Sequence, residues 1–142
     1  MQMSDKRDHN VMMQTLLDTI ATRQTPAAAS GVRLLVVGSE DDDLGFFRMV
    51  ERLGAVIVTD EHCTGTRYFW NDVERSGKSP LQAIADRYCD RPPCPTKDWE
   101  VRQRIDHILA LARAWDARGA IVIQQKFCDP HEIDIPAIRK SL

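Results

Sequence analysis

Apolar residues fall in short blocks along this chain, separated by charged and turn-forming stretches. Val32-Arg33-Leu34-Leu35-Val36-Val37-Gly38 is an aliphatic run, rich in β-branched residues and closed by glycine. That is the pattern of a strand buried on both faces. Asp41, Asp42 and Asp43 follow, acids suited to a helix N-terminus. Leu44, Phe47, Val50 and Leu53 then share one helical face, and Gly54 is placed to stop the helix. Ala55-Val56-Ile57-Val58-Thr59 predicts a second strand. Residues 32–59 thus form one strand–helix–strand unit, normally parallel with a right-handed crossover.

The pattern loosens over residues 60–97. Pro80 starts a short helix through Leu81, Ile84 and Tyr88, and the prolines of Arg91-Pro92-Pro93-Cys94-Pro95 keep that stretch extended or turned. A long helix is predicted over residues 98–117, with Val101, Ile105, Ile108, Ala112 and Trp115 as its apolar stripe and Gly119 as its stop. Ala120-Ile121-Val122-Ile123 is a third strand. Cys128-Asp129-Pro130-His131-Glu132 reads as a turn into a last helix, with Asp129 as N-cap, Pro130 in the first position and Glu132 in the capping-box position.

Ahead of the first strand, Val11, Met12, Leu16, Leu17 and Ile20 fall near helical spacing, and Thr25-Pro26-Ala27-Ala28-Ala29-Ser30-Gly31 reads as a linker. We expect residues 1–30 to be a helix and linker belonging to something upstream, and residues 31–142 to be the α/β domain. The alternation of strands and helices predicts an open parallel α/β sheet. A doubly wound fold would next need a fourth strand. The expectation is therefore an incomplete domain, a fragment or a chain that needs a partner.

Composition narrows the function. A length of 142 residues suits one domain, and 43% hydrophobic residues supply a core. Nineteen basic and 21 acidic residues nearly cancel, and the pI of about 6.1 argues against nucleic acid as a partner. No apolar run approaches the ~18 residues that span a bilayer, and the polar start shows no signal peptide. Four cysteines are modest usage and point to a reducing, cytoplasmic setting.

Ligands of open α/β sheets bind beyond the carboxyl ends of the strands. Three segments reach that edge here: Ser39-Glu40-Asp41, Asp60 to Arg67, and Gln124 to Glu132. The first lacks both glycine-rich nucleotide fingerprints, and its acids would repel a phosphate. Cys63 is either a buried thiol or a ligand. Arg67 can grip a carboxylate or phosphate with two N–H groups, or pair with Asp60 or Glu61. Cys89 and Cys94 have a spacing that does not match zinc ribbons. Cys128 sits where amide N–H groups and the helix dipole lower a thiol pKa and can hydrogen-bond to cluster sulfurs. Nucleophilic attack, as in a thiol hydrolase with His131 as base, stays open beside iron–sulfur ligation and plain packing. The bland role of His131 is surface packing or helix capping.

Gln125-Lys126-Phe127-Cys128-Asp129-Pro130-His131-Glu132, followed by Asp134-Ile135-Pro136, resembles the signature segment of the benzoyl-CoA reductase and 2-hydroxyacyl-CoA dehydratase subunits. Asp60-Glu61-His62-Cys63-Thr64-Gly65-Thr66-Arg67-Tyr68-Phe69 and Asp90-Arg91-Pro92-Pro93-Cys94-Pro95 resemble two further motifs of that family, in the same order. The resemblance covers essentially residues 10–142 and implies a flavodoxin-like, Rossmann-like three-layer domain. It implies an oxygen-sensitive, anaerobic enzyme of two homologous subunits, each holding an iron–sulfur cluster, commonly [4Fe–4S]. A separate ATP-dependent activator supplies a low-potential electron, which passes to an acyl-CoA thioester. A dehydratase then expels hydroxyl by way of a ketyl radical anion, whereas a reductase reduces an aromatic thioester. The motif wording inclines slightly to the reductase branch.

The resemblance implies three cysteine ligands per cluster, two of them from an upstream domain. Cys128 matches the third and is the ligand carried over; the upstream pair is absent here. Cys63, Arg67, Gln125 and His131 are candidates for shaping the pocket, and no catalytic residue is assigned. The isolated chain is expected to be inactive. The alternative is a non-catalytic α/β binding module, or a degenerate remnant without a cluster.

Overall fold

The computed structural model describes residues 4–24, 30–96 and 103–142. The element order is α1 (Lys6–Thr22), β1 (Val32–Gly38), α2 (Leu44–Arg52), β2 (Ala55–Glu61), α3 (Thr66–Phe69), α4 (Pro80–Asp90), α5 (Gln103–Ala114), β3 (Gly119–Ile123) and α6 (Asp129–Ser141). The strands form one parallel sheet in the order β2-β1-β3. This is the expected open α/β sheet, with helices on both faces. Residues 25–29 of the linker and Val101 of the predicted stripe lie outside the described residues.

β1 is the middle strand, and its burial follows from that. Leu35, Val36 and Val37 are fully buried. Leu35 and Val37 point to one face, where they pack with Ile108 of α5 and Ile138 of α6. Val36 points to the other, where it lines a small cavity with Ile57 and Phe47 of α2. Burying such aliphatic side chains contributes roughly 1.5–3 kcal/mol each.

The pairing of β1 with β2 contains one irregularity. Leu34 is opposite Ile57, but Leu35 is opposite Thr59, so Val58 is an extra residue in β2. Such a bulge shifts the side-chain alternation of everything after it. Glu61 consequently pairs with Val37 and faces α5, whereas Asp60 pairs with Val36 and faces α2.

Several sequence expectations need correction. Leu44 and Leu53 are exposed, and α2 turns Phe46, Phe47 and Val50 inward instead. Leu44 is the first residue after the Asp43 cap and Leu53 is the C-cap, so each sits where the helix leaves the sheet. The helix expected from Pro80 through Tyr88 is present as α4, with Ala83 as its buried residue and Leu81, Ile84 and Tyr88 exposed. Trp115 also lies exposed, beyond the end of α5. Gly119 does not stop α5; it opens β3, and Asp116 takes the left-handed turn with φ 47°. The N-cap of α6 is Cys128 rather than Asp129, with no side-chain cap. Its carbonyl instead accepts from His131 N and Glu132 N, both at 3.1 Å.

The leader helix is present as expected. Asp5 caps it by accepting from Arg7 N at 2.8 Å, and none of its residues is buried.

Candidate functional site

The carboxyl ends of the strands hold an ionic cluster below the surface. Arg104 of α5 is fully buried. Its Nε donates to Glu61 Oε2 at 3.1 Å, its Nη2 to the same oxygen at 2.5 Å, and its Nη1 to Asp134 Oδ2 at 2.6 Å. Arg67 of α3 adds its Nε at 3.3 Å from Glu61 Oε1, and its Nη2 donates to Cys63 O at 3.3 Å. Glu61 and Asp134 are as buried as Arg104. Burial pushes the Glu61 carboxyl above its ordinary value, while the bond to Arg104 and the two guanidinium charges pull it back. Burial also works against the Arg104 charge, but Glu61 and Asp134 hold that group above its ordinary value.

Above this cluster lie two thiols and a histidine. Cys63 follows β2 and is half-buried, and its Sγ is 3.5 Å from His131 Nε2. Burial pushes the Cys63 thiol up, against the pull of Arg67, and the charges of Glu40 and Cys128 add to the rise. His131 is 3% exposed and so is not a surface residue. Burial, then the cations Arg104 and Arg67, bring it down to about 4. At neutral pH it is an uncharged imidazole facing a protonated thiol. The histidine is therefore paired with Cys63, and the structure gives no Cys128–His131 pair for thiol hydrolysis.

Cys128 is also half-buried, at the head of α6. The preceding Phe127 has φ 69° and is 83% exposed, so the chain turns sharply at the rim. Two glutamines brace this turn. Gln124 Nε2 donates to the carbonyls of Gln125 and Cys128, each at 3.1 Å. Gln125 Nε2 donates to Glu40 O at 2.7 Å, and Gln125 N to Ser39 Oγ at 3.2 Å. The amide supply at α6 is smaller than the sequence suggested. Pro130 has no N–H, and His131 and Glu132 already bond to the Cys128 carbonyl.

The structure therefore brings Cys63, Arg67 and His131 together and sets Gln125 beside the Cys128 turn. Arg67 takes Glu61 as its partner. Asp60, the other acid considered for it, instead accepts from Thr66 N at 3.1 Å and Thr66 Oγ1 at 2.7 Å. Cys89 is exposed, and Cys94 contacts Thr96 Oγ1. The sequence reading missed Arg104 and Asp134. Arg104, Ile108 and Leu111 are the buried residues of α5. A charged residue at an apolar-stripe position was the signal, and Asp134 stands likewise in line with His131 and Ile138.

A cluster implied by the resemblance meets a partial fit. Cys128 offers one half-exposed thiol at the rim, the type of donor iron binds. Among the described residues, no group of three or more His, Cys, Asp or Glu is arranged to hold a metal. The further donors that such a cluster requires would have to come from outside those residues.

An open parallel sheet flanked by helices defines the α/β class, with Cys63 and Cys128 at its carboxyl edge, and comparison defines the family. The family model for the 2-hydroxyglutaryl-CoA dehydratase D-component matches residues 1–142, so the chain belongs to that family. It is 26% identical over 137 residues to the (R)-phenyllactyl-CoA dehydratase beta subunit of Clostridium sporogenes, covering 96% of this chain and 36% of that protein. It is 24% identical over 115 residues to the (R)-2-hydroxyglutaryl-CoA dehydratase subunit beta of Acidaminococcus fermentans, covering 79% of this chain and 30% of that one. The chain thus spans about a third of the length of these curated relatives.

Proposed function

We propose that this chain is the α/β domain, with its leader helix, of a D-component subunit in a 2-hydroxyacyl-CoA dehydratase. Both relatives carry dehydratase names, which favours that branch over the reductase. Cys128 donates one thiolate to a [4Fe–4S] cluster whose other ligands lie outside the described residues. Bound there, the cluster supplies a low-potential electron, received from an ATP-driven activator, to an acyl-CoA thioester. A homologous second subunit completes the enzyme, in a reducing cytoplasm that keeps all four thiols free. Among the described residues, no helix is long and apolar enough to cross a membrane.

The chain's own residues have separable tasks. Cys128 is a donor at the rim. Cys63, kept protonated against a neutral His131, shapes the wall beside it and does not compete for iron. Gln124 and Gln125 hold the turn, and Arg67 closes the floor.

The observation that carries the reading is the placement of Cys128, half-exposed at the carboxyl edge and heading α6. The test is anaerobic reconstitution of the full-length subunit with iron and sulfide, followed by visible and EPR spectroscopy. Cys128→Ala should abolish the cluster signal, and Cys63→Ala should retain it. A wild-type spectrum from Cys128→Ala would sink the reading.

A further inference from the structure

We propose that the buried Glu61–Arg104–Asp134 bridge is a positioning device that fixes the rotation of α6 and so aims Cys128. The inference rests on the reading of Cys128 as a donor at the sheet edge.

The bridge joins three elements through one planar group. Arg104 belongs to α5, Glu61 ends β2 and Asp134 lies in the second turn of α6. A guanidinium offers its N–H groups at fixed angles, so both carboxylates are oriented by the same plane. A buried ionic group is a poor source of stability, because apolar residues of similar volume often do as well or better. This face of the sheet accepts such residues readily: Leu35, Val37, Ile108 and Ile138 pack on it. What the ionic bridge adds is direction, which an apolar contact does not specify.

Direction matters most at α6. Pro136 lies inside that helix and cannot donate the bond that would close onto Glu132. The turns before it, which carry Cys128, are thus weakly braced by the helix itself. Asp134 lies N-terminal to that break, and Cys128 is six positions earlier, about 9 Å along the axis. His131, on the same buried side, has its ring against Cys63. Rotation of α6 would break the Arg104–Asp134 bond and swing Cys128 away from its place at the rim.

The test replaces the bridge, together with Arg67, which also pairs with Glu61, by apolar residues in the full chain: Glu61→Leu, Arg67→Met, Arg104→Met and Asp134→Leu together. Melting temperature, the iodoacetamide alkylation rate of Cys128 in metal-free protein, and the EPR g-values and midpoint potential after reconstitution are measured. The expected result is a folded variant that melts at or above the wild-type temperature, with Cys128 alkylation changed several-fold and both cluster properties shifted. A folded variant with wild-type alkylation, g-values and potential would overturn the proposal. So would a variant that does not fold, because the bridge would then be holding the fold itself. Arg104→Lys keeps the charge and loses the fork; it should change Cys128 alkylation in the same sense, and wild-type alkylation there counts against the proposal. If wild-type protein takes up no iron, the ligand reading fails, while the alkylation comparison still decides whether the bridge aims Cys128.

Discussion

Two arginines tie α5 to the sheet, one at each end, and they do so by opposite chemistry. Arg33 of β1 reaches the end of α5 near the amino edge, where its Nε and Nη2 donate to Trp115 O at 3.0 and 2.5 Å. That acceptor is a neutral carbonyl beside solvent, next to an open groove of about 950 Å³ floored by Leu35, Ala112, Ala117, Gly119 and Ala120. Arg104, near the other end of α5, is sealed from water between two carboxylates. The amino edge needs only to close a helix terminus. The carboxyl edge holds charge in a dry place, which is costly unless the charges are matched. Matched burial of this kind marks the end where geometry is controlled.

The largest expected contrast comes from removing each arginine. Arg104→Ala removes the fork shared by two buried carboxylates and should destabilise the chain by ~3–5 kcal/mol. Arg33→Ala loses solvated hydrogen bonds and should cost ~1 kcal/mol. Urea denaturation measures both, and similar values would erase the distinction between the edges.

Two glycines sharpen it next. Gly38, at the carboxyl edge, has φ 137°, and a Cβ there would sit 1.9 Å from Ile123 O. Gly54, at the amino edge, has φ 94° with nothing within 4 Å of such a Cβ. Gly38→Ala should lose about 3 kcal/mol or more, combining strain with a backbone clash, and Gly54→Ala about 1 kcal/mol from strain alone.

The pH dependence also divides the two ends. His131 titrates at about 4 when folded, against 6.5 ordinarily. The unfolded chain therefore binds more protons between those values, and stability is lost as pH falls from 6.5 towards 4. The full loss is on the order of 3 kcal/mol. Glu61, raised above 4.5, opposes part of it by taking a proton more readily in the folded state. Stability curves of metal-free protein should flatten across that window in His131→Gln. The smallest effect is local: Asp43→Ala removes the acceptor for Phe46 N at 3.0 Å and should cost ~1 kcal/mol by chemical denaturation.

Much of the scaffold was legible because it rests on local pattern. The run from Val32 to Gly38 is a strand with the bounds expected, and Pro80 starts its helix as expected. Faces were read less well. Leu44, Leu53 and Leu81 look like core on a helical wheel, but the sheet has three strands and covers less of each helix than that wheel assumes. At the site, Cys63, Arg67 and His131 were legible as neighbours of the carboxyl edge. Their pairing was not, since the 3.5 Å contact between positions 63 and 131 depends on tertiary placement. Arg104 escaped because charge on an amphipathic helix is ordinarily read as its wet side.

The extra residue in β2 decides which acid enters the ionic cluster. With regular pairing beyond Leu34, Asp60 would stand opposite Val37 and Glu61 opposite Gly38, exchanging the faces they now occupy. In that regular register the shorter carboxylate would be presented to Arg104, and the longer one would be turned towards the Phe47 side of the sheet; deleting Val58, by contrast, would leave Asp60 and Glu61 opposite Val36 and Val37 as they are now. Leaving Val58 out of the ladder, in an otherwise plain strand, acts here as the selector between two adjacent carboxylates.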